Sequence, residues 1–256
     1  MNLLQWTCAR ICLVFLVVAS LVGCGKTESE NIDSKGVHAK INVVTEGDGT
    51  TDIKTRLKTG DGYPFQDDLK LSRGDRLVVY ANGVSQEMSE INGLLGVSYI
   101  TTFPFDTEGL EFRVAFERNT KVSAPNSIVT LPDAFTITTP ADLVYADTDI
   151  VTTTWTPANT PDRMLIVYRI ECEDINNDHH FAAYAVYTDD SGLRDMPVRE
   201  ILEKAPHSSQ WDYSNGCSLE VEVVRKRRGD LDRNYGNGGR ISGKQSRNVA
   251  ASIAAP

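Results

Sequence analysis

The chain lacks the common short signatures of hydrolytic and phosphate-transfer sites. It has no G-x-S-x-G, no H-E-x-x-H and no glycine-rich phosphate loop following a strand. Gly236-Asn237-Gly238-Gly239 is rich in glycine but falls between strand-like runs, without the helix N-terminus that cradles phosphate. No enzymatic activity and no cofactor are expected. Positive charge is also short. The formal charge of the 256 residues is −9, which argues against the broad basic surface that nucleic-acid binding requires and gives no general attraction to anionic lipid headgroups. Long hydrophobic runs are missing too: the apolar stretch Ile11 to Ala19 is too short and too near the terminus to favour a spanning helix of about 20 residues. What is present, 41% hydrophobic and 24% charged residues, is an ordinary globular balance, and the chain should fold.

The first residues have the parts of a secretory signal. Arg10 supplies the charge, Ile11 to Ala19 the apolar region, and Ser20-Leu21-Val22-Gly23-Cys24 the small residues before a cut. Leu21-Val22-Gly23-Cys24 resembles the bacterial lipobox. The resemblance implies cleavage before Cys24, a diacylglycerol on its thiol and an acyl chain on its freed amine, which together make membrane anchoring stable where one chain is marginal. It also implies, from Gly25 standing where an inner-membrane retention aspartate would be, delivery to the outer membrane. An ordinary cleaved signal and an uncleaved N-terminal helix are the alternatives. Losing Arg10 would bring the formal charge to −10. Residues 24–36 are polar with one isolated Ile32, so they read as a lipidated flexible tether.

With Cys8 and Cys12 inside the signal and Cys24 as lipid carrier, Cys172 and Cys217 remain. In an oxidising compartment the simplest expectation is a disulfide between them; two buried free thiols is the alternative.

From Val37 onward, short β-type runs are separated by Gly, Pro, Asp and Asn, the pattern of an all-β fold. Two β-sandwich domains are expected, 37–131 and 132–256, joined where Leu131-Pro132 and Thr139-Pro140 bracket Ala134 to Thr138. The first has candidate strands at Val37 to Thr45, Asp52 to Leu57, Arg76 to Ala81, Val97 to Phe103 and Leu110 to Phe116, with turn signals at Asp61-Gly62, Asn82-Gly83 and Asn92-Gly93. The second has Ile150 to Trp155, Met164 to Cys172, Phe181 to Tyr187, Ser218 to Arg225 and Asn248 to Ile253. One helix of two to three turns is expected between them, N-capped by Asp195, with Pro197 in its first turn and Val198, Ile201 and Leu202 on its apolar stripe, ending before Pro206.

Thr152-Thr153-Thr154-Trp155-Thr156-Pro157 followed by Met164 to Ile170 resembles the early strands of fibronectin type III and other immunoglobulin-like modules, where a strand tryptophan lies in the core. The resemblance covers about 100 residues. The whole chain also resembles proteobacterial lipoproteins, a similarity that brings no known activity.

Three clusters are candidate sites. Asp230, Asp232 and Asn234 alternate as Ca²⁺ ligands do, but an EF-hand wants glycine where Tyr235 stands and glutamate where Ile241 stands, so a hairpin loop is preferred and no metal site is assigned. Arg225-Lys226-Arg227-Arg228 could meet phosphate groups of lipopolysaccharide, an anionic glycan or an acidic partner; a solvated strand end balanced by Asp230 and Asp232 is the bland alternative, and alternation would split the four between two faces. His179 and His180, adjacent on a strand, point to opposite faces and make a poor metal pair.

The expectation for function is a membrane-anchored envelope lipoprotein acting as a non-catalytic binding module. Its partners would be the membrane through the lipid and an envelope protein or glycan, with no nucleic acid. A structural accessory of an outer-membrane assembly is the alternative, and an envelope hydrolase is less favoured.

Overall fold

The computed structural model describes residues 26–59, 67–94, 96–140, 143–157, 159–173, 178–204 and 215–254. Cys24, the signal segment, Asp61-Gly62 and Pro206 lie outside them. The fold is all-β with one short helix. In the first half the strands are β1 (Lys26–Glu28), β2 (Val37–Thr45), β3 (Thr51–Thr59), β4 (Asp67–Lys70), β5 (Arg76–Ala81), β6 (Val84–Glu87), β7 (Ser89–Gly93), β8 (Gly96–Phe103), β9 (Glu111–Glu117) and β10 (Ala124–Thr130). The second half has β11 (Thr136–Thr139), β12 (Val144–Tyr145), β13 (Ile150–Thr156), β14 (Arg163–Glu173), β15 (His179–Thr188), β16 (Leu193–Pro197), α1 (Val198–Lys204), β17 (Cys217–Arg228) and β18 (Arg240–Ile253).

One eleven-stranded sheet runs through the whole molecule in the order β1-β4-β3-β2-β18-β17-β14-β15, with β7, β8 and β12 alongside. Two smaller sheets cover its inner face. The sheet β10-β9-β5-β6 closes a first core on Val37, Ile41, Val43, Ile53, Leu57, Phe112, Val114 and Phe116. The sheet β11-β13-β16 closes a second on Trp155, Met164, Ile166, Tyr168, Val221 and Val223. Period-two alternation builds both: in β2 every odd-numbered residue from Val37 to Thr45 is buried, and its even-numbered neighbours point to the other face.

In the second unit, apart from the two-residue β12 beside β18, the first, second and fifth strands (β11, β13, β16) form one sheet, and the third, fourth, sixth and seventh (β14, β15, β17, β18) the other. That is the three-against-four split of a fibronectin type III module, differing from the constant immunoglobulin arrangement in the sheet that takes the fourth strand. Trp155 is buried as the resemblance implies. The helix carries the chain from one sheet to the other between β16 and β17, burying Val198 and Ile201. It starts later than expected, because Asp195 and Pro197 extend β16 in pairing with β13 and Asp195 accepts a hydrogen bond from Thr152 rather than capping a helix.

Three further expectations are corrected. Residues 26–36 are not a free tether: β1 pairs with β4, Ser29 Oγ donates to Asp75, Arg118 donates to the carbonyls of Ser29 and Ile32, and Ile32 packs against the first core. Hydrogen bonds to a buried Arg118–Asp75 pair hold this stretch, and a hydropathy pattern does not register them. β18 begins at Arg240, well before Asn248; its first half pairs with β2 and sends Ile241 into the first core, so the C-terminal strand belongs to both units. Asn82-Gly83 does close the β5–β6 hairpin, with both residues at positive φ, but the β7–β8 ladder runs past Asn92 to Gly93 opposite Gly96.

Cys172 and Cys217 are bonded, joining directly opposed residues of β14 and β17 within one sheet.

Candidate anion-binding face

The Arg225 to Arg228 run divides as strand alternation requires. Arg225 and Arg227 point to the inner face. Arg225 is fully buried, paired with Asp190 at 3.0 Å, and its Nη1 donates to the Asp133 carbonyl at 2.9 Å. Asp190 also accepts from Trp155 Nε1 at 2.6 Å and Thr160 Oγ1 at 2.6 Å. Burial works against the charged form of the Asp190 carboxyl, yet the bonds from Thr160 and Trp155 and the charge of Arg225 hold it below the usual carboxylate range. Arg227 pairs with Asp162 at 2.7 Å and donates to the Leu131 carbonyl. These two arginines pin the segment between the cores and are withdrawn from any ligand.

Lys226 and Arg228 point outward and join residues from other strands. Cross-strand register arranges the outer face in rows, with side chains about 5 Å apart across strands and about 7 Å along them. One row reads Arg56, Lys40, Arg240 across β3, β2 and β18. The next reads Lys54, Asn42, Ser242, Arg228, and the third Asp52, Val44, Lys244, Lys226, Arg163. At the centre Ser242 Oγ donates to Asn42 Oδ1 at 3.3 Å, a neutral hydrogen-bonding floor ringed by cations. Asp52 is the sole acid in the three rows, at their edge, and accepts from Thr102.

The cations lack ion-pair partners, and the one nearby acid that acts on them, Glu222 on Lys244, is outweighed by burial and by the neighbouring cations. Among the described residues, none of Lys40, Lys54, Arg56, Arg163, Lys226, Arg228, Arg240 and Lys244 forms an ion pair. Their mutual repulsion is visible in the ammonium groups. Burial, then the charges of Arg240, Arg56 and Lys226, hold Lys40 below the ordinary lysine value. Lys226 is lowered by burial, Arg240 and Arg228, and Lys244 by burial, Lys226 and Lys40. Two adjoining hollows of about 270 and 360 Å³ share the wall Gly238, Gly239 and Arg240. Gly239 has no room for a side chain, since a Cβ would stand 2.6 Å from Leu231 and 2.9 Å from the Ala39 carbonyl. An anion seated here would meet converging N–H donors and an existing positive potential.

Sequence reading named Lys226 and Arg228 but missed Lys40, Lys54, Arg56, Arg163, Arg240 and Lys244. The signal was there as cations two residues apart in Lys54-x-Arg56-x-Lys58 and Lys226-x-Arg228, but which strands lie side by side is decided by topology.

The other candidates resolve differently. Asp232 spends both carboxylate oxygens on the backbone N–H groups of Asn126 and Asn234, and Asn234 Nδ2 donates to the Ser123 carbonyl. Asp230 bridges Ile128 through its backbone, so these three residues tie the β17–β18 connection to β10. His179 Nδ1 lies 3.0 Å from Glu171 on the outer face, while His180 faces the opposite side. No helix of the described residues is long and apolar enough to cross a membrane.

No protein-family model and no curated protein matches the chain. Among solved structures it is similar to the fibronectin(III)-like modules of Clostridium thermocellum CbhA, at 9% identity over 85% of this chain and 93% of that one, with a TM-score of 0.22. A score that low establishes no common overall topology, so the description as an all-β sandwich rests on the sheets themselves.

Proposed function

We propose that the chain is a lipid-anchored cell-envelope protein whose body is a non-catalytic binding module for phosphate-bearing anions, with the outer face of the long sheet as its contact. The observation that carries this reading is the set of eight cations in three neighbouring rows, none in an ion pair among the described residues, on a chain of formal charge −9. Repulsion among them is a standing cost to the fold that a bound anion relieves. The anchor half of the reading is supported by Leu21-Val22-Gly23-Cys24 and the apolar run before it, and outer-membrane delivery by Gly25.

Chromatography on phosphocellulose at neutral pH tests the binding half. A protein this acidic is repelled by the resin unless a local basic face engages it, so retention with salt-dependent elution is the expected result and passage in the void volume refutes the reading. For the anchor, Cys24→Ser should abolish incorporation of labelled palmitate; unchanged incorporation refutes lipidation at that residue.

A structural accessory role has one observation in its favour. β15 ends the sheet path and holds ten residues without Lys, Arg, Asp, Glu, Pro or Gly, and it exposes 69% of Phe181 and 56% of Tyr187. An edge without such blocking residues is able to pair with another strand. Crosslinking from a photoreactive residue at position 181 in cells would give one discrete protein adduct on that reading and none if the edge is unused.

A further inference from the structure

Lys26 is paired with Asp68 of β4, and Asp68 with Lys58 of β3, which is opposite His38 of β2. The row that starts where the described chain starts therefore lies directly beside the row Arg56, Lys40, Arg240. Only Gly25 separates Lys26 from Cys24. Two residues of fully extended chain reach about 7 Å, so the Cys24 backbone stays within that distance of Lys26 whatever path it takes.

From this short leash and the charge pattern we infer that the basic face lies against the anionic phosphate headgroups of the membrane that holds the lipid. The inference rests on the lipid-anchor reading above. Charge along the outer face fixes the orientation. Beyond Lys226 on β17 the outward positions pass through Val224 to Glu222 and Glu220, both paired with Arg169, and Glu171 follows on β14. An anionic surface attracts the basic rows and repels the Glu171 end of β14 and β17, so the body rests on its basic rows with that end raised from the bilayer. Headgroup attraction acts within about one Debye length; the leash brings the near edge of the sheet, with Lys26 and Lys58, that close, and β17 and β14, five and six strands along, come within range only as the face lies down on the headgroups.

The test uses mature lipidated protein reconstituted through Cys24 into vesicles of phosphatidylcholine, with and without phosphatidylglycerol. Acylation by a water-soluble amine reagent is read by peptide mass spectrometry. Lys40, Lys54, Lys226 and Lys244 should react several-fold more slowly when phosphatidylglycerol is present, while Lys121 and Lys204 react equally in both. Salt near 1 M, where the Debye length is about 3 Å, should remove the difference. Equal reactivity of all six lysines on the two vesicles overturns the inference. Soluble polyphosphate added to the phosphatidylcholine vesicles separates the two claims. Protection by polyphosphate but not by phosphatidylglycerol leaves the anion-binding face standing and refutes membrane docking, whereas protection by neither refutes both. Protein recovered from cells without lipid on Cys24 also overturns the inference, because the leash is then absent.

Discussion

Arg225 and Lys226 are neighbours in sequence with opposite employment. One points inward to Asp190 and the link between the cores, the other outward to Lys244 and Arg163. Asp190→Asn would remove the countercharge while leaving the Arg225 guanidinium buried, and a loss of about 3–5 kcal/mol is expected in urea unfolding. The acid limb gives a second readout. Because the folded Asp190 carboxyl titrates below its unfolded value of about 3.9, its contribution is fully present above that value and is lost as pH falls through the lower folded one. Stability of Asp190→Asn should therefore fall less steeply than that of the wild type below pH about 4; parallel slopes would show that Asp190 carries no such linkage. Lys226→Gln acts the other way, relieving repulsion on an outward position, and should change stability by no more than about 0.5 kcal/mol while weakening anion binding.

At the scale of elements, β18 is the strand that the fold depends on and the sequence understates. Its second half, Asn248 to Ile253, has a recognisable alternating pattern, whereas Arg240 to Arg247 contains a single large apolar residue, Ile241. The reason becomes clear in three dimensions: where β18 passes the link, Gly243 would bring a Cβ within 2.6 Å of the Thr130 carbonyl, and Gln245 donates to the Pro132 carbonyl from a buried position. Close backbone approach and polar bonding replace the hydrophobic signal there. Gly243→Ala should cost about 1–3 kcal/mol through overpacking, measured by thermal or urea unfolding, and a neutral result would contradict the close packing. A strand with one buried face, such as β2, was legible residue by residue because alternation alone sets it. The polar segment from Lys26 to Asp33 was not, since its partners Arg118 and Asp75 are distant in sequence. The Cys172–Cys217 bond was legible from the count of remaining cysteines, though not its place within one sheet. Replacing both by Ala should cost about 2–4 kcal/mol in the non-reduced protein and nothing further under reducing conditions.

At the scale of the whole molecule, two cores share one sheet. Tyr235 and Ile241 complete the first core although they follow almost the entire second unit in sequence. A fragment ending at Leu131 would lack both residues and leave β2 without the neighbour β18 provides. Such a fragment should stay unfolded by circular dichroism, and a cooperatively folded one would contradict the shared-sheet architecture. The same sharing explains the candidate site. Its cations come from β3 and β2 of one unit, from β17 and β14 of the other and from the β18 they share, so no single run of sequence contains it and an acidic composition hides it.

The most direct test of that site is an equilibrium titration of the protein with polyphosphate at low and high salt, alongside the variant Lys40→Glu/Lys226→Glu/Lys244→Glu. The account expects binding by the wild type that weakens steeply as salt rises, and its loss in a variant that remains folded because the three side chains point away from both cores. Equal affinity of the two proteins, or no binding by the wild type at low salt, would contradict it.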